Sequence, residues 1–210
     1  VVRLGKTIKG LAYAICGSEF VLGSVMPSNT ARGGGIHAPI VNSLSHSLDS
    51  TAKKDPEKAG QYLTLIGAHA NLIVASMFMT GMAANPLVTK AAKDIFQVDF
   101  GWEIWILGSI VPGAISLLLL PHLMYYLAKP SITEGQGARE SAENALEEMG
   151  QMHWKEKVMF AVLIAMLVLW STKFIHGMGT TLVAWIGMLI LLLSKTQTWD
   201  DVIKNERAWD

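Results

Sequence analysis

Three consecutive small polar residues, Ser28, Asn29 and Thr30, offer two hydroxyls, an amide and the backbone N–H groups that open the following segment. Together these suit a small anion, because unpaired donors and the positive end of a helix dipole favour a carboxylate. Ser24 lies four residues upstream, on the same face of a continuous helix, so its hydroxyl would join Ser28 and Asn29 in an oxygen cage for a hard cation such as sodium. The same residue types are also ordinary helix caps. A second candidate is the run Thr80-Gly81-Met82-Ala83-Ala84-Asn85-Pro86. Pro86 removes a backbone donor and disfavours helix at Asn85, while Gly81 permits unusual dihedrals, so the carbonyls at 80–84 are expected to be left unpaired. A proline-kinked helix without a ligand is the plainer reading of that run.

Arg32 follows the polar triplet within an apolar setting, where an uncompensated charge costs about 2.5–3.5 kcal/mol on insertion scales. It would grip a carboxylate with its fork, pair with Glu19, or cap the carbonyls of a neighbouring helix. The structural roles are preferred, since the triplet already supplies donors. The six histidines show no metal-ligand spacing. His69 and His122 fall in apolar tracts, where hydrogen-bonded packing is favoured over a proton relay. A membrane-embedded serine hydrolase, with Ser28 or Ser76 attacking and His69 as base, is the runner-up class, although no nucleophile elbow is present. An ion-channel fragment is weaker still, for want of an acidic ring or a carbonyl filter. No catalytic residue, cofactor or Walker A motif is assigned.

The elements that must position these groups are set by composition. Of 210 residues, 51% are apolar and 16% charged, with 17 basic against 17 acidic side chains, which argues against a nucleic-acid partner. The charges avoid long tracts. None falls in 59–89 or 104–128, and only Lys173 falls in 158–194, the pattern of a chain embedded in a lipid membrane. Trp102, Trp105, Trp154, Trp170 and Trp199 stand near the tract ends, where indoles settle at the interface with their N–H groups in water. A single cysteine, Cys16, excludes an internal disulfide.

The expected architecture is an all-α polytopic membrane protein fragment with a re-entrant helical hairpin and a broken transmembrane helix. Residues 1–10 form a cytoplasmic flank and 11–48 the hairpin, with arms at 11–26 and 36–48 around a glycine-rich tip at 28–35. Two short complete spans would serve the same topology. A cytoplasmic loop (49–58) leads to the broken helix and outer loop (59–99), then to spans at 102–128, 158–175 and 179–195. Between them, the linker 129–157 carries an amphipathic helix with Ala138, Ala142, Ala145, Leu146 and Met149 on its apolar face, and 196–210 leads onward on the cytoplasmic side. Thirteen lysines and arginines then lie on one side, against Lys90, Lys93 and Lys173 on the other, which makes the first side cytoplasmic.

Pro27-Ser28-Asn29-Thr30-Ala31-Arg32-Gly33-Gly34-Gly35, followed by Pro39-Ile40, resembles the first signature of the divalent anion/sodium symporter family. The likeness is to the branch of bacterial citrate, malate and tartrate carriers and chloroplast 2-oxoglutarate/malate translocators. Val111-Pro112-Gly113, Ile132-Thr133-Glu134, Leu146-Glu147-Glu148-Met149-Gly150 and Glu206-Arg207-Ala208-Trp209 extend it over essentially the whole chain. The resemblance implies two inverted repeats, each with a re-entrant hairpin and a broken helix, and a di- or tricarboxylate held between the two tips. It implies sodium symport or carboxylate exchange in a bacterial inner (plasma) membrane, by a protein that is a homodimer at full length. Ser28, Asn29 and Thr30 match the first substrate and sodium motif. Thr80, Gly81, Ala84, Asn85 and Pro86 match the facing loop, which differs from the Gly-Thr-Pro-Pro-Asn of other branches. Substrate contacts are thus expected from Ser28, Asn29, Thr30, Thr80, Asn85 and Pro86, and sodium contacts from Ser24, Ser28, Asn29, Gly81 and Ala84. The second repeat is expected beyond Asp210.

Overall fold

Tyr62, Leu63, Ile66, Gly67, Ala70, Asn71, Val74 and Ala75 recur at three- and four-residue steps, and the helix they define is buried along that stripe. The computed structural model describes residues 2–26, 28–98 and 100–204. Pro27 of the first motif and the 206–209 motif lie outside the described residues. Among the described residues every regular element is helical, in two compact units at 1–148 and 149–210.

In the first unit, α1 (Ile8–Gly23) is followed by α2 (Asn29–Arg32), a π-helical turn (Gly33–His37) and α3 (Ala38–Ser47), which continue one another without interruption. Next come α4 (Gly60–Met77), a 3₁₀ turn (Met79–Gly81), α5 (Ala84–Phe96), α6 (Trp102–Ala128) and α7 (Gln136–Met149). α1 buries Ile8, Leu11, Ala12, Ile15, Cys16, Glu19 and Gly23. It runs in the same direction as α4, since Glu19 meets Asn71 and a Cβ on Gly23 would overlap Val74. α3 returns alongside α4, with Val41 against Gly67. α6 runs opposite to α4: Trp105 and Ser109 reach its C-terminal end, and the Tyr62 hydroxyl donates to Pro121 O near its beginning at 2.9 Å. α4 is thus the central rod, its first amides capped by Ser50, whose hydroxyl oxygen accepts from Ala59 N (3.1 Å) and Gly60 N (2.8 Å).

Several expectations are corrected here. The tip is shorter than 28–35, because Gly33, Gly34 and Gly35 belong to the π turn and the returning helix begins at Asn29. Ser24 and Ser28 do not share a helix face: α1 stops at Gly23, Ser24 caps its end, and Ser28 caps the next helix. The apolar face of α7 is buried only at Ala138, while Leu146 and Met149 are exposed. The indoles of Trp105 and Trp170 donate to Ser76 O (2.9 Å) and Thr180 O (3.2 Å) instead of facing water. Ser76 O lies in the last turn of α4, where carbonyls lack helical partners, and Thr180 O in the first turn of α10.

α6 has the expected bounds and is the one described helix long and apolar enough to cross a membrane. Leu107, Val111, Leu118, Leu119, Leu123 and Leu127 stand exposed along it, as lipid contact requires. In the second unit, α8 (Trp154–Ser171) packs against α10 (Thr180–Leu193), with the short α9 (Lys173–His176) between them. α8 takes in the charged 155–157 turn ahead of the expected start at 158, with His153 and Glu156 forming a capping box. α11 (Trp199–Ile203) opens on a second box, in which hydrogen bonds from the Thr198 hydroxyl and amide hold the Asp201 carboxyl below its usual range.

Candidate functional site

Ser28 adopts an extended backbone (φ −123°, ψ 107°), and its hydroxyl oxygen accepts from Ala31 N at 3.2 Å. Its carbonyl accepts from Arg32 N at 3.0 Å. The triplet therefore is a helix cap, and the helix it opens runs to Ser47. Helix geometry gives the amides of Asn29 and Thr30 no intrahelical partner among the described residues, and Ser28 and Thr30 are exposed while Asn29 is half-buried. An anion approaching the tip meets these donors and the positive end of the helix dipole.

The facing element is the interruption after α4. Phe78 is extended, Met79–Gly81 make a single 3₁₀ turn, Met82 is extended, and α5 begins at Ala84. The break starts earlier than proline chemistry suggested. Asn85 and Pro86 lie in the first turn of α5, where a missing N–H leaves no helical bond unmade. Gly81 closes the turn: a Cβ there would come within 2.8 Å of Ala75 O.

Of the carbonyls expected to be free at 80–84, those of Gly81 and Met82 are paired, and so are those at the end of α4. Asn85 Nδ2 donates to Ala75 O (2.7 Å) and Phe78 O (2.9 Å). Trp105 Nε1 donates to Ser76 O (2.9 Å), and the Ser109 hydroxyl to Met77 O (2.5 Å). Gly81 O accepts from Arg32 Nη1 at 3.2 Å, and Met82 O from Asn85 N at 3.2 Å. Unpaired backbone at membrane depth is costly, and side chains from α5 and α6 supply what water would supply elsewhere.

Beneath the tip lies a buried polar cluster. Arg32 and Glu19, both fully buried, form an ion pair through Nε and Oε1. Arg32 Nη1 also donates to Met26 O at 2.8 Å. Asn71 Nδ2 donates to Glu19 Oε1 (2.9 Å) and to Asn29 O (3.1 Å). His37 Nε2 lies 2.6 Å from Glu19 Oε2, but off the direction of a hydrogen bond. The π turn explains why two residues five apart converge on one carboxylate: its i→i+5 repeat brings Arg32 and His37 over the same face. A side chain at Gly33 would come within 3.2 Å of the Asn71 amide, so the glycine lets the two helices close at that level.

Arg32 thereby joins the two sequence-predicted loops, the triplet on one side and Gly81 on the other. The Thr80 hydroxyl is buried without a partner. Ala84 and Pro86 are exposed. The Asn85 side chain is buried against carbonyls. The Ser24 hydroxyl donates to Val21 O at 2.7 Å, leaving its oxygen lone pairs uncommitted by that bond. Ser76 donates to Ile73 O, and His69 Nδ1 lies 2.8 Å from Leu65 O, so each is held by its own helix and they form no hydrolytic pair.

Asn71 was not read from the sequence as part of this site. Its signal was a lone amide on the buried stripe of a charge-free helix, a position that demands a partner. A cavity of about 690 Å³ lies between the returning helix and α4, lined by Gly33, Gly34, His37, Asn42, Thr64 and Asn71 among others.

Among the described residues the regular elements are helical, one helix is long and apolar enough to cross a membrane, and Arg32 joins the two interruptions of the helices. Residues 1–210 match the family described as the sodium:sulfate symporter transmembrane region, and the chain belongs to that family. It is 42% identical over its whole length to YflS of Bacillus subtilis (strain 168), whose name is provisionally that of a malate transporter. It is 35% identical over its whole length to the chloroplastic dicarboxylate transporter 1 of Arabidopsis thaliana, and 31% identical to the L-tartrate/succinate antiporter of Escherichia coli (strain K12). These alignments cover 44%, 38% and 43% of the relatives, so the chain spans somewhat under half their length. The family and these relatives bear the names of transporters, not of enzymes.

Proposed function

We propose that this chain forms one half of the binding site of a secondary active transporter for di- or tricarboxylates of the malate, 2-oxoglutarate, succinate and citrate class, working by alternating access. A substrate carboxylate is held by Ser28, Asn29 and Thr30 and by the facing loop, where Thr80 offers its hydroxyl and the backbone at Asn85 and Pro86 lines the site, the Asn85 amide being committed to α4. The observation that carries the reading is the hydrogen bond from Arg32 to Gly81 O, which sets the capped tip beside the broken helix. Those are two separate ways of presenting backbone groups within a membrane, and secondary transporters use both. The relatives' names supply the substrate class.

In this reading α1 and the returning helix 29–47 form a re-entrant hairpin entered from the cytoplasmic side. At about 1.5 Å per residue, the 16 residues of α1 extend roughly 24 Å, short of the ~30 Å hydrocarbon core. A coupling sodium ion, where one is used, is held by oxygens of Ser24, Ser28, Asn29, Gly81 and Ala84. Gly81 O is shared with the Arg32 guanidinium, so the remaining oxygens carry most of that coordination. A second inverted repeat completes the site, and the full-length protein is a homodimer in a bacterial inner membrane.

The test is uptake of labelled malate, 2-oxoglutarate, succinate and citrate into proteoliposomes by the full-length protein, with Asn29→Ala alongside and with external sodium and internal carboxylate varied. Loss of uptake in a normally inserted Asn29→Ala protein is expected. Normal transport by that variant would leave the triplet with its role as a helix cap alone.

A further inference from the structure

We infer that Arg32 is a positioning residue for this site: supported by Glu19 and Asn71, it holds the 28–30 turn against the Met79–Gly81 turn without itself touching the carboxylate. The inference rests on reading the tip as the binding site. Its observations are independent of that reading. Arg32 is fully buried, and its fork reaches three separate backbone or side-chain groups: Glu19 on α1, Met26 O at the end of the first arm, and Gly81 O in the break. Asn71 completes a loop of bonds, since one amide nitrogen joins Glu19 to Asn29 O. The carbonyl of the central residue of the triplet is therefore tied to the carboxylate that orients Arg32, and Arg32 in turn is tied to the break.

Charge balance alone would not need this geometry. A lysine ammonium would neutralise Glu19 equally well, but as a point charge on a flexible stem it lacks the fork that spans Glu19 and Gly81 O together. The bond to Gly81 O is the contact that separates positioning from mere neutralisation. If the two turns drift apart, the carboxylate loses contacts on one side, and affinity falls before turnover does.

The experiment measures the concentration dependence of malate and 2-oxoglutarate uptake by the full-length protein in proteoliposomes. The variants are Arg32→Lys, the charge-free pair Glu19→Gln with Arg32→Gln, and Asn71→Ala. The expected result is a KM raised at least about tenfold in the first two, the worth of one charge-assisted hydrogen bond, with Vmax within about threefold of the unsubstituted protein. The malate to 2-oxoglutarate KM ratio stays unchanged. Asn71→Ala removes no charge and is expected to raise KM in the same way by about threefold or more, so it decides the matter if the other variants fail to insert. Wild-type KM in Arg32→Lys or in the charge-free pair would reduce Arg32 to a counterion and overturn the inference. A changed substrate ratio would overturn it too, by placing Arg32 on the carboxylate itself. Failure of the tip reading shows separately, as wild-type KM in Asn29→Ala.

Discussion

Asn85 donates both hydrogens of its side-chain amide to the end of α4, at Ala75 O and Phe78 O. It is buried, and no water can replace it there. Asn85→Ala is therefore expected to leave Ala75 O unpaired and to destabilise the full-length protein by about 1–3 kcal/mol, read as a lowered thermal midpoint in detergent. A raised carboxylate KM at unchanged stability would instead put this amide on the substrate. Asn71 works by the same chemistry one layer deeper, its two hydrogens joining Glu19 to the tip backbone. Both asparagines are visible in the sequence as lone amides in apolar surroundings. Neither shows there which carbonyl it serves, because the acceptors are chosen by how the helices meet.

At the scale of elements, α1 and α4 approach through Gly23, where a Cβ would overlap Val74. Valine is branched and stiff at χ1, so it cannot swing aside, and small residues at such contacts are what let helices in a membrane pack closely. Gly23→Ala is expected to cost about 1–3 kcal/mol of stability through overpacking. Gly17→Ala on the same helix has nothing within 4 Å of the new methyl and is expected to leave stability unchanged or slightly higher. Unfolding of the two variants side by side checks this, and equal losses would mean that α1 does not depend on the Val74 contact. The existence of α4 and α6 was legible from charge-free tracts, and that of α1 from a shorter apolar arm. Their ends were less so. Three glycines in a row read as a loop, but the surrounding helices hold them in a π turn.

For the whole molecule, the distribution of lysine and arginine leads to the expectation that 49–58 and 129–157 are cytoplasmic and the loop after α5 is outside. A phosphatase reporter fused after Gln97 is expected to be active outside the bacterial membrane, and one fused after Gly135 inactive. The reverse pattern would invert the orientation and put the tip on the other face. The exposed leucines of α6 belong to this scale as well, since an apolar face left open along a long helix is compatible with lipid. On the apolar face of α7, Ala138 is buried while Leu146 and Met149 are exposed.

What the sequence determined by itself were the properties that composition and short-range spacing control. These are a helical chain with lipid-compatible tracts, a long apolar helix at 102–128, a capped triplet at 28–30, and an interruption in the helix that begins at 60. What only the tertiary structure decided was the pairing. Arg32 and Gly81 stand 49 residues apart, and Asn71 and Glu19 52, whereas the pair of Arg32 with Glu19, 13 apart, was already among the structural roles read from the sequence. Hydropathy and periodicity see one turn of helix at a time, whereas a buried polar group takes whichever partner the packed helices bring within 3 Å or so. That is why the loops could be found from residue types alone, while the bonds that join them, and the carbonyls they satisfy, emerged only from the fold.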